Sequence, residues 1–99
     1  MPQGPFQVVS LGNANKRTLN ITANTVVKAS AGFVGTVSVV VAGSGAGTLH
    51  DSLTVAAAAA ANEIAVLPTT AGVYTINFPA TSGIVVKPGT GQTIAISFN

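Results

Sequence analysis

Charged side chains are scarce in this chain of 99 residues. Asp, Glu, Lys and Arg make up 6% of it, against roughly 25% in an ordinary soluble domain. The charged residues are Lys16, Arg17, Lys28, Asp51, Glu63 and Lys87. Acid–base, nucleophilic and metal chemistry all need ionisable side chains that converge on one place. The sequence therefore predicts a protein that is not an enzyme and that uses no metal or cofactor.

Cysteine and tryptophan are absent, and the aromatic residues are four Phe and one Tyr. Without cysteine, neither a disulfide framework nor a thiolate metal site can form. The core must come from Val, Ile, Leu and Ala, which each bury less area than an aromatic ring. We expect one domain over residues 1–99, with residues 1–5 as an extended N-terminal arm. Because its core is small, we also expect self-association, as a homotrimer first and a dimer next.

The four cations do not cluster, whereas a nucleic-acid-binding face needs Lys and Arg gathered together. The uncharged stretches 29–49 and 64–86 are broken by Gly, Ser, Thr or Pro. A transmembrane helix needs about 20 consecutive, predominantly apolar residues. The N-terminus also lacks the cationic and apolar regions of a secretory signal. We therefore expect neither nucleic acid nor a membrane as a partner.

Apolar and polar residues alternate with a period of two in short runs, which turn residues separate. These runs follow one another at spacings of roughly 8–12 residues, typical of an antiparallel sandwich or small barrel. The predicted strands cover residues 6–11, 18–21, 25–29, 33–42, 48–51, 63–67, 73–78, 84–87 and 92–98. The sequence therefore predicts an all-β fold of about eight short strands.

In two of these strands the alternation also indicates the buried face. The side chains predicted to face the core are Phe33, Val37, Val39, Val41, Ile94, Ile96 and Phe98. In the strand at 73–78, Tyr74, Ile76 and Phe78 are predicted to share one face. One segment is ambiguous, because six successive alanines occupy residues 56–61. Alanine is the best helix former, but an isolated helix under about 12 residues is marginal. We expect at most a short helical turn near 52–62.

His50 and Asp51 are the only adjacent pair with the residue types of a catalytic site. A triad needs a nucleophile beside the imidazole and a carboxylate that orients it. Neighbouring residues of a strand point to opposite faces, so Asp51 is badly placed to orient His50. The pattern favours a strand end with a solvated His and a turn-forming Asp.

Two glycine-rich segments, 43–47 and 87–91, lie between predicted strands. A phosphate-binding loop would need Lys-Ser or Lys-Thr after the glycines and then a helix. Here residues 48–50 have the pattern of a strand, so both segments are predicted to be turns between strands.

Lys16 and Arg17 precede a predicted strand and allow two interpretations. They can be a solvated loop tip, or they can contact an acidic patch on a partner protein. With Lys28 and Lys87 they are the candidate partner-contact residues of the chain.

Three segments together resemble small virion structural proteins of tailed bacteriophages. They are residues 21–29 (ITANTVVKA), 43–51 (GSGAGTLHD) and 83–98 (GIVVKPGTGQTIAISF). The family consists of β-sandwich proteins of the head decoration (cement) or head-fibre type. The resemblance spans most of the chain, and its turn-and-strand motifs carry over no catalytic or binding residue.

The resemblance implies a jelly-roll-like sandwich located on the capsid surface of a virion and made in the cytoplasm of the host bacterium. It implies the major capsid protein and further copies of the chain as partners. The expected function is then that of a decoration protein, which binds the outer shell and stabilises it. A fibre, spike or adaptor module that contributes to host attachment is the alternative.

Overall fold

The computed structural model describes residues 14–99, which form eight β-strands and one 3-10 turn. The elements are β1 (Lys16–Ile21), β2 (Thr25–Lys28), β3 (Gly32–Val41), β4 (Gly47–His50), the 3-10 turn (Ala60–Asn62), β5 (Glu63–Leu67), β6 (Gly72–Ala80), β7 (Ile84–Lys87) and β8 (Thr93–Phe98). The predicted arm at 1–5 and the predicted strand at 6–11 lie outside the described residues. The other predicted strands are all present, with shifts of a few residues at their ends.

The strands form two four-stranded antiparallel sheets. Sheet A has the order β1-β8-β3-β6 and sheet B the order β2-β7-β4-β5. Strand β1 pairs with β8, β2 with β7, β3 with β6 and β4 with β5. The first described strand thus pairs with the last, the second with the seventh, and so on towards the middle of the chain. Such pairing forms one long antiparallel ribbon, and wrapping this ribbon into two sheets gives the jelly-roll arrangement. The predicted all-β sandwich is therefore confirmed.

The core lies between the sheets and is almost wholly aliphatic. Its buried cluster consists of Ile21, Val34, Val37, Val39, Leu49, Leu67, Ala80, Ile84, Val86, Ile94, Ile96 and Phe98. The three residues predicted to face inward on β8, Ile94, Ile96 and Phe98, are all buried. Strand β8 lies between β1 and β3, so it is a central strand of sheet A, and its inward side chains belong to the core cluster.

The predicted core face of β3 is partly wrong, because two irregularities change the phase of the strand. Val34 pairs with Phe98 and Val37 with Ile96, so β3 has one more residue than β8 over this stretch. A bulge of this kind moves the following side chains to the other face. Val34, Val37 and Val39 are buried, whereas Phe33 is only partly buried. A second shift after Val39 leaves Val41 49% exposed.

Strand β6 does not keep the three residues Tyr74, Ile76 and Phe78 in one environment, although they were predicted to share a face. Tyr74 and Ile76 pack against the core, but Phe78 is 51% exposed. Asn77, between them, has a φ of 47°, which breaks the extended backbone. Because β6 is an edge strand of sheet A, none of the strands within residues 14–99 covers Phe78 on its outer side.

The alanine-rich segment connects β4 to β5 and contains the expected short turn. The 3-10 turn Ala60–Asn62 is the one helical element within residues 14–99. The Asn62 side chain fixes the segment, since its Oδ1 accepts a hydrogen bond from the Ala59 N–H at 2.9 Å and its Nδ2 donates to the Ala57 carbonyl at 3.0 Å. Local hydrogen bonds from the Asn62 side chain to the backbone therefore replace the helix that alanine alone would favour.

Candidate interaction surface

Asp51 anchors the connection between β6 and β7. Its Oδ2 accepts hydrogen bonds from the Thr81 N–H and hydroxyl, both at 2.9 Å. Its Oδ1 accepts from the N–H groups of Ser82 at 2.7 Å and Gly83 at 3.2 Å. Desolvation raises the pKa of the Asp51 carboxyl, but these four hydrogen bonds to the charged form outweigh it and hold the pKa below its usual range. Asp51 therefore stabilises a turn, but this turn is far away in the sequence, at residues 81–83.

The predicted solvated His50 is wrong, because its side chain is only 3% exposed. Its Nδ1 lies 3.0 Å from the Ala59 carbonyl oxygen and 3.1 Å from Asn62 Oδ1. Both atoms are acceptors here, so Nδ1 carries the hydrogen. The other nitrogen, Nε2, lies 2.8 Å from Thr48 Oγ1. The segment between β4 and β5 folds back over the imidazole, which no strand periodicity could indicate.

These bonds give His50 and Asp51 two separate structural tasks. His50 joins β4 to the alanine-rich segment, and Asp51 joins the same strand end to the turn before β7. The neighbouring hydroxyl of Ser52 donates to the Thr54 carbonyl at 2.8 Å instead of the imidazole. Among residues 14–99, no group of three or more His, Asp or Glu side chains could hold a metal ion.

The four candidate partner-contact residues lie at separate places. Lys16 and Arg17 are exposed on β1, at an edge of sheet A. In sheet B, Lys28 ends β2 and Lys87 ends the neighbouring antiparallel β7. Lys87 already has a partner within the chain, because its Nζ donates to the Ala58 carbonyl at 3.0 Å. Lys16 and Arg17 are therefore the only two of the four that form one local group.

The exposed surface carries large apolar side chains on both sheets and in a loop. Those more than a third exposed are Leu19, Val26, Val40, Val41, Leu53, Val66, Val73 and Phe78. Val73, on the edge strand β6, is the most exposed of them at 71%. Periodicity predicts which side chains of a strand point away from the core. It does not indicate which of these side chains lie next to each other on neighbouring strands.

An open groove of about 220 Å³ lies on the outer side of sheet A, and we call it the outer groove. Its walls include Arg17, Leu19, Thr36, Ser38, Ala95 and Ser97. Ser38 pairs with Ala95 across β3 and β8, so two small side chains meet at the centre. Larger residues on the outer strands, such as Leu19 on β1 and Val73 on β6, leave a depression between them.

At one end of the sandwich, two loops approach so closely that glycine is required. A Cβ on Gly89 would overlap the carbonyl oxygen of Gly45. The buried Gln92 stabilises this end, since its Oε1 accepts from the Gly89 N–H at 2.8 Å and its Nε2 donates to the Pro68 carbonyl at 2.6 Å. Gly91 has a φ of 81°, as a turn between the last two strands requires.

Comparison of the chain with protein-family models, curated proteins and solved structures gave no match. Within the described residues, no helix is long and apolar enough to cross a membrane.

Proposed function

We propose that this chain is a non-enzymatic structural protein of a tailed-bacteriophage virion, a decoration protein that binds the outside of the capsid and stabilises it. The major capsid protein and further copies of the chain are its proposed partners. The observation that carries this proposal is a jelly-roll sandwich whose surface is poor in charge and rich in small and apolar side chains. Jelly rolls occur in viral capsid and lectin domains, among others.

Such a surface suits permanent contact with other protein. Docking a charged surface requires removal of water from the charges, at a cost of several kcal/mol per ion when they are deeply buried. Small side chains such as Ala and Gly lose almost no rotamer entropy on docking. Two of the few charged residues, Asp51 and Lys87, are already engaged within the chain. The surface can therefore be buried with little penalty.

The same surface also supports the proposed self-association. Among the described strands, β1, β6, β2 and β5 lie at sheet edges, where backbone groups can pair with another chain, and few charges are present to block such pairing. Val73 on β6 and Val66 on β5 are exposed apolar residues at two of these edges. Assembly into an oligomer or onto a lattice would cover them.

The test uses phage particles that lack this chain, produced by deleting its coding sequence. We expect purified protein to co-sediment with these particles and to restore their resistance to heat. Cryo-electron microscopy of the particle with the chain restored should show density on the outer shell. If the protein does not bind, or if particles without it resist heat equally well, the decoration role is wrong. Density on the tail or on a fibre would instead support the attachment module.

A further inference from the structure

The outer groove has a floor of small side chains between two apolar walls. At the floor, Ser38 of β3 pairs with Ala95 of β8. Leu19 of β1 forms one wall and is exposed. On the other side Val73 of β6 pairs with Ser38, so its exposed side chain stands on the same face of sheet A. The groove is therefore shaped to receive an apolar side chain from another surface.

One end of the outer groove carries a positive charge. Arg17 lines the groove and pairs with Ser97 of β8, two positions along β1 from Leu19. Residues two apart on a strand point to the same face and lie about 7 Å from each other. A surface that fits the groove would therefore present a carboxylate beside an exposed apolar side chain.

Two exposed residues of β5, Glu63 and Val66, meet this description. Glu63 pairs with His50 of β4, and Val66 pairs with Thr48. Nε2 of His50 lies 2.8 Å from Thr48 Oγ1, so these two side chains share one face of sheet B. Leu49, between them, belongs to the core, so the shared face is the outer one. Because directly opposed residues of neighbouring strands share a face, Glu63 and Val66 also lie on the outer side of sheet B.

The distribution of charge favours a contact between these two surfaces. Of the two acids in the chain, Asp51 already accepts four hydrogen bonds from residues 81–83, so Glu63 is the acid that remains to meet Arg17. Three residues of a strand span about 10 Å, so the long side chains of Arg17 and Glu63 can meet while Val66 lies over the floor of the groove. The two surfaces are on opposite sides of the sandwich, so this contact can form only between two copies of the chain.

We propose that the outer groove of one copy receives Val66 of a second copy, with Glu63 of that second copy paired to Arg17. The contact joins sheet A of one copy to sheet B of the next, and such a head-to-tail contact can close into a ring like the proposed trimer. Apolar contact supplies most of the affinity, and the single ion pair sets the register. This inference rests on the self-association proposed above, but it requires no capsid.

Charge reversal tests the contact, with sedimentation velocity of the full chain over a range of concentrations as the measurement. Arg17→Glu and Glu63→Arg should each weaken self-association by about tenfold or more, because like charges that face each other in an interface are strongly unfavourable. The double variant Arg17→Glu/Glu63→Arg should associate nearly as the natural chain does, since it restores the pair in reversed order. Lys28→Glu, on the strand at the opposite edge of sheet B from β5, is the control for net charge and should have little effect.

Cross-linking between copies tests the location, because the chain has no cysteine of its own. Ala95→Cys protein is mixed with Val66→Cys protein under mild oxidation, and a disulfide forms only if the Cα atoms come within about 7 Å. The control mixture replaces Val66→Cys by Val26→Cys, an exposed position on β2. We expect the first mixture to form the mixed disulfide several-fold faster than the control.

The outcomes separate this contact from self-association in general. A natural chain that sediments as a monomer at every concentration would contradict both. An oligomer that both charge reversals leave unchanged, or that the double variant does not restore, would overturn this contact alone. Equal rates of disulfide formation in the two mixtures would also overturn it. Far-ultraviolet circular dichroism checks that each variant keeps the sandwich, and cross-linking tests the contact with all natural charges in place.

Discussion

At the scale of single residues, Asp51 shows how one carboxylate can organise a distant turn. Its two oxygens accept four hydrogen bonds from Thr81, Ser82 and Gly83, about thirty residues further along the chain. Charge-assisted bonds of this kind are roughly twice as strong as neutral ones. In a chain with only two acidic residues, one of them is thus committed to structure.

We predict that Asp51→Asn lowers the free energy of unfolding at neutral pH by about 1.5–3 kcal/mol, the usual value of hydrogen bonds to a charged group. An amide keeps one acceptor oxygen but turns its NH₂ group towards the N–H donors of the turn. Urea unfolding at pH 7 measures the loss. Glu63→Gln, at an exposed acid, is the control and should change stability by no more than about 0.5 kcal/mol. Equal losses in both variants would contradict the role of Asp51.

The same carboxylate predicts an acid-dependent loss of stability. Hydrogen bonds hold the pKa of Asp51 lower in the folded chain than in the unfolded chain. Its contribution is therefore complete above the unfolded pKa of about 4 and is lost as the pH falls through the folded value. Thermal melts between pH 6 and roughly pH 2 should show a shallower acid slope for Asp51→Asn than for the natural chain. Identical slopes would show that Asp51 is not linked to folding.

His50 is the residue at which sequence and structure differ most. The sequence indicates a polar residue at a strand end, and such residues are usually solvated. In the fold, both ring nitrogens have partners, from Thr48 of the same strand and from Ala59 and Asn62 of the returning segment. A buried polar group with all its partners is a stable arrangement, and it needed the whole segment to close over it.

At the scale of elements, the irregularities of β3 decide which valines build the core. The buried valines of β3 are those opposite the inward residues of β8: Val34 faces Phe98, Val37 faces Ile96 and Val39 faces Ile94. The alternation of β8 is regular and could be read directly. That of β3 could not, because the extra residue near Gly35 is a property of the pairing between two strands.

At the glycine-rich end of the sandwich, we predict that alanine substitutions at two glycines change the free energy of unfolding differently. Gly89→Ala should lower the free energy of unfolding by about 1–3 kcal/mol, because the added methyl group overlaps the Gly45 carbonyl. Gly45→Ala is the matched control, since its Cβ would lie 3.6 Å from the Thr90 nitrogen, an ordinary contact. That variant should be neutral or stabilise by up to about 1 kcal/mol. Urea denaturation compares them, and similar losses would mean that the close approach does not govern stability.

At the scale of the whole molecule, the jelly-roll order and the low charge act together. Pairing β1 with β8 closes the chain upon itself and buries an aliphatic core, while charged groups stay few on the outside. A surface of this kind gains little from long-range attraction and has few charges to desolvate. Its association with other protein should depend on contact area more than on charge.

If the chain is a decoration protein as proposed, we predict that its binding to the capsid varies little with ionic strength. Co-sedimentation with capsids that lack the chain should be similar in low and high sodium chloride, because apolar and small polar contacts are not screened by salt. The double variant Lys16→Gln/Arg17→Gln, which removes the local pair of cations on β1, should bind as the natural chain does. Binding that is lost both in high salt and in this variant would show that β1 contacts an acidic patch on the partner.

The sequence by itself determined the composition of the core, the presence of strands and their approximate bounds, and the shortage of groups for chemistry. These are local properties, because alternation and turn residues act within a few positions of the chain. It also indicated a short turn instead of a long helix at 52–62, as found.

Only the tertiary structure decided the strand order, the phase of β3, the burial of His50 and the outer groove. Each of these depends on residues far apart in the sequence, as when β1 meets β8 or Asp51 holds the turn at Ser82. The scarcity of charge limits what the chain can do, and the fold decides where the remaining apolar surface can meet a partner. That difference arises because side-chain patterns are local, whereas pairing and loop closure are not.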